Sequence, residues 1–110
     1  MTITHLPEDG KRFIEYELTK NTIDFNDGEL MFNIAKKERD YAVTVDICMD
    51  YTGSLVIGTG TGKTYVAQLH IPERKYTEEE TTVDGEASIT MVPVPFDVNR
   101  CELVLWEMEV

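Results

Sequence analysis

Apolar and polar residues alternate along most of this chain with a period of two, the pattern of strands that bury one face. Residues 41–50 show it most clearly. Val43, Val45, Ile47 and Met49 fall on one face, and Thr44, Asp46, Cys48 and Asp50 on the other. Residues 12–18 set Ile14, Tyr16 and Leu18 against Glu15 and Glu17, and residues 64–71 and 87–92 repeat the alternation. Pro72 ends one of these runs, because it has no N–H to give to a ladder. Near the C-terminus the pattern changes. Leu103, Val104, Leu105 and Trp106 are consecutively apolar, so the last strand, read over residues 101–110, is covered on both faces for half its length and belongs in the middle of a sheet.

Turn signals lie between these runs. Asn26-Asp27-Gly28 predicts a tight hairpin turn from residues 22–25 into a return strand carrying Leu30, Phe32 and Ile34. Residues 27–39 have a rival reading as a helix capped by Asp27, with Lys36, Lys37 and Arg39 near its C-terminus. The hairpin is preferred. Tyr51-Thr52-Gly53 turns the chain into residues 54–57, and the glycine-rich residues 58–64 turn it again into residues 64–71, which makes a meander. Residues 73–86 are polar, carry Glu78-Glu79-Glu80 and an Asp84-Gly85 turn signal, and predict an exposed loop or hairpin tip. Residues ahead of Arg12 read as a short leader. About eight short strands, with reversals every 8 to 12 residues or so, predict an all-β single domain over residues 1–110, an antiparallel β-sandwich or barrel.

Composition narrows the class further. A chain of 110 residues with 42% hydrophobic residues is one domain long and buries a core without metals or crosslinks. It contains no apolar run of membrane-spanning length, and its first residues lack the basic and apolar regions of a signal peptide, so a cytoplasmic protein with no membrane contact is expected. Twenty-one acidic residues against ten basic ones argue against direct binding to nucleic acid, for which Lys and Arg supply the phosphate-neutralising charge. Cys48 and Cys101 sit in strand-like runs, outside any disulfide framework or metal knuckle, and are expected to remain thiols.

Gly58-Thr59-Gly60-Thr61-Gly62-Lys63-Thr64 resembles a phosphate-binding loop, but only three residues separate Gly58 from Gly62, and Ile57 stands where the first glycine belongs. Residues 65–71 alternate as a strand, whereas a phosphate loop opens a helix. His5, His70, Cys48 and Cys101 show no local pairing of the kind that begins a zinc site. Asp46, Cys48 and Asp50 read as a solvated strand face. No catalytic residue, cofactor or metal is expected.

Charge supplies the remaining candidates. Glu78, Glu79, Glu80, Asp84 and Glu86, joined by Glu102, Glu107 and Glu109, offer carboxylates to a cationic partner, and Lys63 is expected to stand exposed among the glycines. Two functions follow as expectations. The first is a non-enzymatic protein-interaction or structural accessory module, with a protein partner or a second copy engaged through exposed strand edges. The alternative is an acidic inhibitor that imitates nucleic acid and blocks a basic nucleic-acid-binding enzyme.

Several fragments carry a resemblance. Asp40-Tyr41 followed by Val45-Asp46-Ile47-Cys48, Ile71-Pro72 followed by Tyr76, and Val94-Pro95-Phe96-Asp97 followed by Leu103-Val104-Leu105-Trp106 resemble small β-rich proteins of phages and prophages of Gram-positive bacteria. The resemblance implies a mobile-element origin and a non-catalytic role, and it carries no active-site residues.

Overall fold

A computed structural model describes residues 1–58 and 62–108, with the backbone alone for Gly62 and Lys63. Among the described residues the chain forms ten strands: β1 (Thr2–Leu6), β2 (Tyr16–Thr19), β3 (Thr22–Phe25), β4 (Leu30–Asn33), β5 (Val43–Asp50), β6 (Leu55–Ile57), β7 (Gly62–Ile71), β8 (Tyr76–Val83), β9 (Glu86–Pro93) and β10 (Glu102–Trp106). Two single-turn 3-10 segments, Ile34–Lys37 and Val98–Arg100, complete them. The all-β class holds.

Five strands make the main sheet in the order β1-β10-β7-β5-β6, and β2-β3-β4 make a second. Their inner faces share one core. Ile14, Ile23, Phe25 and Ile34 come from the small sheet and its flanks, and Val45, Ile47, Leu69, Ile71, Leu103 and Leu105 from the large one, all buried. The two sheets form an open, sandwich-like stack rather than a closed barrel. Burial of each large aliphatic or aromatic side chain favours this state by about 1.5 to 3 kcal/mol. β10 lies between β1 and β7, and Leu103, Val104 and Leu105 are buried on alternate faces, as the continuous apolar run requires.

The small sheet settles the choice over residues 27–39. β3 and β4 pair antiparallel across residues 26–29, where Asn26, Asp27 and Gly28 all have positive φ. Only one 3-10 turn follows, and Ile34 is buried beneath it.

Three expectations need correction. Residues 2–6 are not a leader but the edge strand β1, which pairs in parallel with β10, so the sheet is not wholly antiparallel. β6 and β7 do not form a hairpin. Both pair antiparallel with β5, one on each side, so they run parallel to each other, and residues 59–61 between them lie outside the described residues. The meander is therefore only its first half, β5 and β6. Finally, residues 76–83 are a full strand, β8, paired with β9 along its whole length.

Candidate functional site: the exposed hairpin arm

The β8–β9 hairpin stands apart from both sheets. Each strand is eight residues long, and every residue of the pair except Thr81 and Val92 is exposed. The protein is accordingly elongated. It measures 67 × 28 × 21 Å with a radius of gyration of 18.2 Å, against about 13 Å for a compact chain of this length. Asp84 and Gly85, both with positive φ, close the two-residue turn at its tip, the geometry whose twist matches the strands.

The root is held firmly. Glu38, the buried charged residue among the described ones, accepts from Arg74 Nε at 3.2 Å, and Arg74 Nη1 reaches Asp40 at 3.2 Å. Tyr76 donates its hydroxyl to the same Asp40 oxygen, and Arg74 N–H donates to the Arg39 carbonyl at 2.8 Å. Hydrogen bonding to Tyr76, and then to Glu38, raises the Arg74 pKa above its ordinary value. Arg74 thus ties the first residue pair of the arm to the segment ahead of β5.

Directly paired residues share a face of a two-stranded ribbon. On one face Tyr76, Glu78, Glu80 and Thr82 lie beside Pro93, Met91, Ile89 and Ala87; on the other, Thr77, Glu79, Thr81 and Val83 lie beside Val92, Thr90, Ser88 and Glu86. The predicted acidic cluster is therefore divided. Glu78 and Glu80 share one face, Glu79 and Glu86 take the other, and Asp84 sits in the turn. Of the residues read as joining it, Glu102 accepts from Thr4 Oγ1 at 2.9 Å, Glu107 accepts from the Lys11 N–H at 2.7 Å, and Glu109 lies outside the described residues. Sequence reading missed the apolar stripe. Ile89 is 66% exposed and Met91 55%, on the face they share with Glu78 and Glu80. Their alternation was visible, but the strand beside them was not, so nothing marked them as uncovered.

The other candidates lie apart from the arm. Asp46 accepts from Gln68 Nε2 at 2.8 Å. Asp50 organises the β5–β6 turn. It accepts from the Thr52 hydroxyl at 2.6 Å and from the Ser54 N–H at 3.0 Å, and these bonds, the hydroxyl foremost, lower its pKa. Cys48 lies on their face, as read, but it is buried rather than solvated. A bulge at Val66 puts Tyr65 opposite Cys48 on one side, and Val56 flanks it on the other. The Tyr65 ring lies 5.8 Å from Trp106. His70 lies beside Thr44, 3.3 Å from its hydroxyl, and among the described residues no cluster of His, Cys, Asp or Glu is placed to hold a metal. Lys63 has its backbone in β7, with a strand and not a helix following it; its side chain lies outside the described residues.

Burial pushes both thiols up from 9.0, helped at Cys48 by the charge of Asp46. The folded protein keeps these protons where the unfolded chain loses them. Their contribution to stability is complete below pH 9.0 and declines as pH rises through the higher folded values. Urea midpoints on either side of that pH should show a fall that shrinks when both cysteines are replaced by alanine. An equal fall in that variant would assign the effect elsewhere.

A depression of about 280 Å³ lies beside Arg12, Asp50, Tyr51 and Thr64, and a broader one of about 580 Å³ over Lys20, Asp24 and Met31. Searches of protein-family models, curated proteins and solved structures found no match to this chain.

Proposed function

We propose that this protein is a non-catalytic interaction or structural accessory module whose contact element is the β8–β9 arm. The observation that carries the reading is the arm itself. A two-stranded ribbon alone is marginal in water, yet this one extends from the body while exposing Ile89, Met91 and Val83, at 66%, 55% and 61%. Apolar side chains presented on a projecting element are the usual mark of a surface that another macromolecule covers. The thiols are buried and the carboxylates of β5 are committed to Gln68, Thr52 and Ser54, which further supports a role in contact. A phage or prophage origin agrees with this reading and rests on the resemblance of the fragments above.

Imitation of nucleic acid has weaker support. A cationic groove requires carboxylates in a row on one side, and here they alternate between the faces of the ribbon, with Ile89 and Met91 beside the nearest pair.

The test is site-specific photocrosslinking in cells that produce the protein, with p-benzoylphenylalanine replacing Ile89 or Met91. Tyr51, 84% exposed on the body, serves as the reference position. Discrete protein adducts from the arm positions and none from position 51 are expected. Adducts equally abundant at all three, or absent from the arm, would overturn the reading.

A further inference from the structure

The two long edges of the arm are unlike each other, and the difference selects a partner. Val94 N–H donates to the Lys75 carbonyl at 2.8 Å, so 75 and 94 are a hydrogen-bonded pair. Bonded and non-bonded pairs alternate along an antiparallel ladder. Val92, Thr90, Ser88 and Glu86 therefore bond to β8, while Ala87, Ile89 and Met91 direct their N–H and C=O groups away from it. By the same alternation Glu78 and Glu80 stand at the outward-bonding positions of β8. Three consecutive glutamates guard the β8 edge, which is how natural sheets repel further strands. The β9 edge has Glu86 and Pro93 at its ends and no charge between them.

We infer that β9 pairs antiparallel with β9 of a second copy across a two-fold axis at Ile89, joining two arms into a four-stranded sheet. This rests on the reading of the arm as a contact element. The sequence of β9 suits it, because Ala87-Ser88-Ile89-Thr90-Met91 has the same pattern in both directions: apolar, hydroxyl, apolar, hydroxyl, apolar. In this register Ile89 meets its own copy, Ala87 meets Met91, and Ser88 meets Thr90. The outward backbone groups of residues 87, 89 and 91 then bond one another. Both apolar rows fall side by side on one face, and the hydroxyl pairs lie together on the other. Such self-complementarity is what a two-fold interface demands.

Charge favours the same arrangement. Pairing through β9 puts the two Glu78-Glu79-Glu80 runs at opposite margins of the new sheet, whereas pairing through β8 would bring them together. The joined arms present an apolar centre between acidic rims, the usual division of a protein interface. One shared strand edge buries less surface than a permanent dimer does, so the association is reversible and concentration-dependent.

Sedimentation velocity from low to high micromolar protein tests this. The mass should rise towards the dimer with concentration, and Ile89→Lys, which sets two like charges opposite each other at the axis, should weaken association about tenfold or more. Ile89→Cys tests the register. Its thiols would meet across the axis with Cα atoms about 5.5 Å apart, within disulfide reach. Mild oxidation should give a covalent dimer from Ile89→Cys far faster than from Ser88→Cys, since Ser88 faces Thr90 and not itself. The native thiols are both buried and give a low background. A monomer at all concentrations, a dimer indifferent to Ile89→Lys, or equal crosslinking of the two cysteine variants would overturn the pairing. Photoadducts from positions 89 and 91 to a different protein would overturn it too, while leaving the interaction reading intact.

Discussion

Leu103→Ala is expected to lower the unfolding free energy by about 3 to 4 kcal/mol, near the middle of the range for a fully buried leucine. Leu103 has no exposed surface, and it stands in β10 between Ile3 of β1 and Leu69 of β7 in register. Neighbours on both sides of the strand are held by ladders, so the surroundings cannot collapse into the space left behind, and the cavity adds to the lost transfer energy. A domain of this size is stable by about 5 to 15 kcal/mol, so the loss is a large share of the total. Urea denaturation checks it, with Met31→Ala, 60% exposed, as a control expected to shift by less than about 0.5 kcal/mol. Equal losses in the two variants would place β10 away from the centre of the sheet.

Phe25→Ala should cost about 3 to 5 kcal/mol and bears on a different point. Phe25 is fully buried in β3, its ring 6.4 Å from Phe32 of β4. The small sheet has only short strands and owes its order to the core it shares with the large one. If that core unites them, a cavity at Phe25 destabilises both. The chain's single tryptophan, Trp106, lies in β10 of the large sheet, so its fluorescence reports on the layer opposite the substitution. The melt followed by Trp106 should shift as far as the melt followed by circular dichroism. A Trp106 transition that stays in place while the dichroism shifts would make the small sheet a separate unit.

Residues whose order along the chain determines their environment were legible in sequence. β5 and β10 were readable because alternation and its absence report directly on one-sided and two-sided burial. The β3–β4 turn was readable because Asp27 and Gly28 accept positive φ, and the β8–β9 turn was marked by Asp84-Gly85 for the same reason. What failed depended on pairing. β1 is short and has Ile3 as its half-buried apolar anchor, and its partner Leu103 stands one hundred residues further along the chain. β8 has no apolar rhythm at all, since the strand owes its existence to β9 alone. Cys48 was placed on the correct face of β5, but it is buried beside neighbouring strands, where a bulge sets Tyr65 opposite it, and no property of β5 announces that.

The candidate site was half visible. The acidic residues were recognised as exposed and their turn as a turn. Their division between two faces, and the unguarded β9 edge beside them, needed the register. The glycine-rich residues do not close a hairpin either, because β7 pairs on the far side of β5 from β6.

The anchored root makes the arm a pointer. Eight residues of strand reach about 27 Å from root to tip, so a tilt of about 10° at the root sweeps the Asp84 turn through roughly 5 Å. The contacts of Glu38, Asp40 and Arg74 around Tyr76 therefore set the direction in which the tip points. Side chains at one end of the arm thus decide where its other end lies.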